Sequence, residues 1–320
     1  MPATAQSEPT IASAELTTSA ESSASAVRHP ALTRSAVMIS RALEVAGRLA
    51  NDAAEVITAT AGRGAAPGTK TSPYDWVTDT DRTLERHTRR VLTGEFPGIP
   101  VLGESSGGLD GYQPVPLPGT AGGSDLLWVV DPVDGTANYV AGLPWCGYSL
   151  ALLDADGPLV GVIADPYQAQ IYAAARGRGL RANGRVVEPA EQRDPDRGLA
   201  GMLICTELSG SAELVGGPDH PVVSQRIELA ELIENCRCQH VGLRVLGSPA
   251  LAVTQVALGR AAAAVLFRYQ VWDVAGALAL AAESGARISR LDGTDDPLPR
   301  SGLVVAAPDI AAAVHHLLAG

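Results

Sequence analysis

The sequence predicts a layered α/β or α+β protein, and two observations carry that expectation. Strand-like and helix-like apolar patterns alternate along the chain without an internal repeat, which favours stacked sheets and helices over an all-β architecture. The chain has 320 residues, 46% of them hydrophobic, enough to bury a substantial core as one large domain or two smaller ones.

Residues 1–30 are rich in Ala, Ser, Thr and Glu and poor in large apolar side chains, so they read as a disordered tail, with the folded unit expected over residues 31–320. The tail lacks the basic start and apolar middle of a signal peptide. From Leu32 to about Thr60, Val37, Ile39, Leu43, Val45, Leu49 and Val56 recur at helical spacing, and a Gly-rich run from Gly62 to Gly68 stops that helix. A polar segment from Lys70 to Asp81 follows. Thr78 or Asp79 can cap a second helix reaching about Phe96. Ile99 to Leu102 is a short apolar strand ending in Gly103-Glu104, and residues 107–124 form a surface loop.

The centre of the chain is Leu126 to Leu152. A buried strand, Leu126 to Val130, runs into two carboxylates three residues apart, Asp131 and Asp134, then Gly135-Thr136, and a second apolar run starts at Gly147. Next come paired antiparallel strands at 159–165 and 170–175 and a hairpin marked by Asn183-Gly184. Residues 193–223 are turn-rich and give no clear element. A helix over 224–234 and a strand over 240–243 follow, and Gly247-Ser248-Pro249 opens another helix. The strand 262–266, the helix beginning Val271-Trp272-Asp273, the strand 303–306 and a terminal helix over 309–318 complete the reading.

Composition excludes several function classes. The formal charge is −11, from 35 acids against 24 scattered bases, so a broad basic face for nucleic acid is not expected. No apolar run reaches the ~18–20 residues that span a bilayer. Cys146, Cys205, Cys236 and Cys238 contain no CxxC pair and read as reduced thiols of a cytoplasmic protein, not a zinc site.

Glu104, Asp131, Asp134 and Asp273 stand at element junctions, and Asp81 stands at the start of a predicted helix. Any one alone reads as a cap or a solvated turn. Together they read as an oxygen-rich cluster suited to a hard cation such as Mg²⁺, because acids after a buried strand are costly without a positive partner. A haloacid-dehalogenase-type DxDGT motif is excluded by spacing, since its nucleophile position holds Pro132.

The stretch WVVDPVDGTANYVAGLP resembles the first signature of the inositol monophosphatase family, and VWDVAGALALAAESGA resembles the second. Weaker elements fall in family order: the Lys70 to Asp81 segment and Gly103-Glu104. The resemblance runs from about Leu32 to the C-terminus. It implies an α-β-α-β-α sandwich like that of fructose-1,6-bisphosphatase, and an Mg²⁺-dependent, lithium-sensitive phosphatase, expected as a homodimer. Glu104, Asp131, Asp134, Asp273 and the carbonyl of Val133 would bind two or three Mg²⁺. Asp81 and Thr136, assisted by the metal ligand Glu104, would activate water. The N–H groups of Gly135 and Thr136 would hold phosphate, and Lys70 would steer substrate.

The resemblance also implies a small phosphorylated polyol as substrate, inositol 1-phosphate first and histidinol phosphate as the alternative, with Gly247 and Ser248 at the sugar. A regulatory protein with weak catalysis is the alternative of another class. Two departures bear on specificity: Ser105 replaces a second Glu, and the family's substrate-binding Glu falls at Leu266, with Arg268 nearby as a candidate contact for a more anionic substrate.

Overall fold

The computed structural model describes residues 30–63, 68–69, 76–104, 115–188, 198–208 and 222–319. Lys70 and all of the expected tail over residues 1–30 except Pro30, which opens the first helix, lie outside them. The helices are α1 (Pro30–Thr60), α2 (Asp79–Glu95), α3 (Thr136–Ala141), α4 (Val222–Cys238), α5 (Pro249–Ala257), α6 (Val271–Glu283) and α7 (Ala311–Ala319). A two-stranded piece pairs β1 (Gly68–Thr69) with β2 (Trp76–Val77).

The larger sheet has seven strands in sequential order: β3 (Val101–Gly103), β4 (Leu127–Asp134), β5 (Gly147–Asp154), β6 (Gly157–Asp165), β7 (Gln170–Ala175), β8 (Leu180–Ala182) and β9 (Arg185–Val186). β3 is parallel to β4, and from β4 onward the sequential antiparallel order follows from short connections, as at Asn183-Gly184, where φ values of 46° and 78° build a tight hairpin. The smaller sheet runs β11 (Gly242–Val245), β10 (Leu203–Thr206), β12 (Ala263–Leu266), β14 (Leu303–Ala306), β13 (Arg287–Ser289). In it β10 is parallel to both neighbours, because α4 and α5 provide the crossovers.

Three apolar layers hold these parts together. Val45, Leu49 and Ile57 of α1 and Leu84 and Leu92 of α2 pack on Trp128, Val130 and Leu150 of the large sheet. Val253 and Leu251 of α5 and Leu278 and Leu280 of α6 fill the space between the sheets, against Ile163 and Tyr172 on one side and Leu266 and Val305 on the other. Leu232 of α4 and Val314 and Leu317 of α7 cover the far face of the small sheet. The layering is therefore α-β-α-β-α, as expected. The large sheet is apolar on both faces, so β4 is buried along its whole length instead of alternating.

Two differences from the sequence expectation have local causes. β10 lies inside the turn-rich stretch left unassigned, since four residues flanked by loops carry too little periodicity to be recognised. β4 extends through both aspartates instead of stopping at Val130, because β5 supplies partners out to Asp134.

Helix α6 lies unusually close to the large sheet. A Cβ at Gly161 of β6 would come within 2.2 Å of the Gly276 carbonyl oxygen, and one at Gly276 within 2.6 Å of Ser149 Oγ. Glycine at these two positions lets helix and sheet backbones touch, which sets the height of Asp273 above the sheet. Gly161→Ala is expected to destabilise the fold by about 1–3 kcal/mol through overpacking, read as a lower urea midpoint. An unchanged midpoint would show that the contact is looser than described.

Candidate active site

The site grows from an irregularity in β4. Asp131 pairs with Ser149 and Asp134 pairs with Gly147, so β4 carries one residue more than β5 across this interval. In a regular strand, residues 131 and 134 would point to opposite faces. The bulge removes that alternation. Val133 joins Trp128 and Val130 in the core under α1 and α2, while Leu127 and Val129 face the Ala275 side, and Asp131 follows their alternation. Asp134 is thereby returned to the face of Asp131.

Both carboxylates are buried, at 3% and 2% exposure. Burial is the main cause that raises the pKa of Asp131 well above the ordinary carboxylate range, followed by the charges of Glu104, Asp134, Asp273 and Asp81. Burial likewise raises Asp134, with Asp273, Glu207 and Glu104 adding to it and the Ser248 hydroxyl opposing it. Neither Asp131 nor Asp134 is ion-paired to a described basic side chain. The field at this end of β4 is thus strongly negative, and the side chains that create it are the five acids expected from the sequence, together with Glu207.

Each expected residue is held by an identifiable local feature. Glu104 follows β3 directly. That strand is fixed to α2 by Arg89, which donates to the Val101 carbonyl at 2.5 Å and pairs with the buried Glu85. Asp81 is the third residue of α2 and part of a capping box: its Oδ2 accepts the Thr78 N–H at 2.8 Å and the Thr78 hydroxyl at 2.5 Å. Asp273 occupies the same place in α6, accepting the Gln270 N–H at 2.7 Å. The Val133 N–H donates to Asp131 at 3.1 Å, and the Val133 carbonyl accepts the Thr136 hydroxyl at 2.9 Å.

Gly135 caps α3 with φ +79°, and a Cβ there would meet the Trp145 carbonyl at 2.6 Å and the Gly247 carbonyl at 2.9 Å. Only glycine fits both the dihedral and the space. Ser248 is fully buried and caps α5, and its hydroxyl donates to Asp134. It therefore meets the site through that carboxylate. Arg268 is half-buried in the loop after β12. Leu266 is fully buried in the core between the sheets, so no polar group stands at that position.

Two contributors were missed from sequence. Asn138 Nδ2 donates to the carbonyls of Trp145 and Leu246, each at 2.8 Å, tying α3 to the turn that opens α5. Glu207 follows β10 directly, and burial lifts its pKa to about 7 against an opposing hydrogen bond from the Gly247 N–H. The available signal for Glu207 was an acid straight after an apolar run, the same one that marked Glu104. Cys236 is buried and Cys238 exposed, two apart on α4, consistent with free thiols and not with a shared zinc ligand set.

The donor set suits a hard divalent cation: it is made of oxygens, its two central acids are buried, and the neighbouring charges of Glu104, Asp273, Asp81 and Glu207 are all negative. Among the described residues no three acidic, His or Cys side chains already stand in metal-ligating geometry. The fit therefore rests on charge, burial and ligand chemistry.

Comparison with known proteins agrees with this chemistry. Residues 38–319 match the model of the inositol monophosphatase family. The inositol-1-monophosphatase SuhB of Mycobacterium tuberculosis is 36% identical over 249 residues, 76% of this chain and 77% of that protein. The Nus factor SuhB of Pasteurella multocida is 30% identical over 239 residues, 75% of this chain and 80% of that one. In fold, the chain is similar to an IMPase/NADP phosphatase solved with Mg²⁺ and phosphate, with a TM-score of 0.67 and 20% identity over 90% of this chain and 95% of that one. No described helix is long and apolar enough to cross a membrane. Layered fold, buried carboxylate face and a family match over most of its length lead to one assignment: the chain belongs to the inositol monophosphatase family and is a phosphomonoester hydrolase.

Proposed function

We propose that this chain hydrolyses a small phosphorylated polyol, inositol 1-phosphate first among candidates, with two or three Mg²⁺ held by Glu104, Asp131, Asp134, Asp273 and the Val133 carbonyl. The observation that carries the reading is the pair of buried aspartates on one face of β4 with no ion pair to a basic side chain among the described residues. When bound, the metal supplies a lowered pKa for the attacking water and a counter-charge for the departing alkoxide.

The residues of the chain have separate tasks in this reading. Thr136 spends its hydroxyl proton on the Val133 carbonyl, so its oxygen is left to accept from the attacking water. Asp81, clamped by Thr78, takes that water's proton. The N–H groups of Gly135 and Thr136 receive the phosphate oxygens. Ser248 and the Val133 N–H orient the two central aspartates. Lys70 steers the anionic substrate, Gly247 and Ser248 border the alcohol half, and Arg268 meets any further anionic group on it.

The catalytic unit is proposed to occupy residues 31–320 and to work as a homodimer in the reducing cytoplasm, which sedimentation of the native protein checks. The relative named as a Nus factor supports a second reading, a regulatory partner with weak catalysis. Phosphate release with and without Mg²⁺ separates the two. The panel is inositol 1-phosphate, histidinol phosphate, fructose 1,6-bisphosphate and glycerol 2-phosphate. Mg²⁺-dependent turnover with one preferred substrate is expected, and metal binding without any release would favour the regulatory reading.

The raised pKa values have a definite sign. The native state keeps the protons of Asp131 and Asp134 to higher pH than the unfolded chain does, so the contribution of these two groups to metal-free stability is greatest below the ordinary carboxylate pKa. It falls as pH rises toward the native values. Asp134→Asn relieves this at neutral pH. Its melting temperature in chelator should rise by a few degrees, about 1–2 kcal/mol at roughly 2–4 °C per kcal/mol. The same variant should lose the Mg²⁺-induced stabilisation of about 2.7 kcal/mol expected at a hundredfold excess over Kd. Its turnover should fall by about 100-fold or more, beyond what outer-shell partners usually command. Near-normal turnover would sink the ligand assignment. Deletion of residues 1–30 is expected to leave activity and melting temperature nearly unchanged, and a large loss in either would show that the segment belongs to the folded unit.

A further inference from the structure

We infer that Glu207 is the specificity-determining residue of this site, accepting a hydrogen bond from a hydroxyl or ammonium group on the alcohol half of the substrate. The inference rests on the phosphatase reading above and adds the recognition element that Leu266 cannot supply.

Topology puts Glu207 at the right place. β10 and β12 are parallel neighbours with Thr206 opposite Val265, and the buried Thr206 hydroxyl donates to the Val265 carbonyl at 2.7 Å. Glu207 follows the last residue of β10, and extending this register by one step brings it level with Leu266. The position at which a substrate-binding carboxylate was expected is therefore apolar and sealed, while a carboxylate stands on the adjacent strand at the same end of the sheet.

Its contacts point toward the catalytic face. The carboxylate accepts the N–H of Gly247, the residue before Ser248, and the Ser248 hydroxyl holds Asp134. The charge of Glu207 in turn raises the pKa of Asp134. Its Oε2 is buried and has no hydrogen-bond partner among the described residues. A carboxylate oxygen removed from water and left with unused acceptor capacity is costly, and a donor on a ligand would remove that cost. Burial also lifts the group to about 7, as expected for a carboxylate with too few donors around it.

The donor must come from the alcohol half, because the phosphate half carries only acceptors and negative charge. Two substrate chemistries meet this demand: a polyol phosphate with a hydroxyl near the ester, and an amino-alcohol phosphate with an ammonium there. A second phosphate or carboxylate next to the ester would be repelled.

The test compares wild type, Glu207→Gln and Glu207→Ala on inositol 1-phosphate, histidinol phosphate and phenyl phosphate, whose alcohol half has no donor. The expected result is a fall of about 10- to 100-fold in the ratio of kcat/KM for the preferred donor-bearing substrate over that for phenyl phosphate, carried mainly by KM, because a site built to pair a polar group discriminates strongly when the pair is lost. Partial rescue by Gln relative to Ala marks a hydroxyl, since the amide oxygen still accepts. Equal loss in Gln and Ala marks an ammonium, whose partner is the charge. Melting temperatures and Mg²⁺-induced stabilisation are measured alongside. An unchanged ratio in both folded variants would overturn the inference while leaving the phosphatase reading intact, as would parallel losses on all three substrates with weakened Mg²⁺ stabilisation. Failure of the wild type to hydrolyse even phenyl phosphate with Mg²⁺ would overturn the phosphatase reading, and this inference with it.

Discussion

Two buried negative charges on one face of β4 set the terms for the rest of the site. Asp131 and Asp134 are removed from water, and among the described residues the charges felt most strongly around them are further acids. Like charges a few ångströms apart in a medium of low effective dielectric repel by several kcal/mol, so the fold must offset this locally. It does so with single donors: the Val133 N–H on Asp131 and the Ser248 hydroxyl on Asp134. Each fixes an orientation without neutralising a charge, which leaves the net negative field available to a cation.

The remaining acids show why structural and chemical readings of one residue need not compete. Asp81 and Asp273 are both third residues of capped helices, and their hydrogen bonds to Thr78 and to the Gln270 N–H account fully for an acid at a helix start. The same bonds stop the side chains from rotating. A carboxylate with one oxygen clamped to its own helix presents the other in a defined direction, so capping and positioning are one interaction.

Precision at the site also depends on distant packing. The contact of Gly161 with the Gly276 backbone, and of Gly276 with Ser149, seats α6 directly on β6 and β5, the latter paired with the strand that carries the aspartates. Asn138 spans two carbonyls of separate loops and holds the start of α3 against the turn before α5. Neither set of contacts donates a group to chemistry in the proposed reaction. Both limit how far the pieces carrying that chemistry can drift, and a close-packed interior transmits such limits efficiently.

What the sequence determined alone is whatever depends on residues close in the chain. Helices α1, α2 and α6, the capping of α2 near Thr78, the Asn183-Gly184 hairpin and the strand-end position of Glu104 all follow from spacings of a few residues. Their hydrogen bonds close over three or four positions, so local order suffices to predict them. Tertiary structure decided the rest. The bulge that turns Asp131 and Asp134 to one face exists only because β5 pairs with β4 in that register. The partner of Ser248 is 114 residues away, and β10, with Glu207 at its end, is too short to be seen until β11 and β12 flank it. Those outcomes depend on which surfaces are buried against each other, and burial is a property of the whole packed chain.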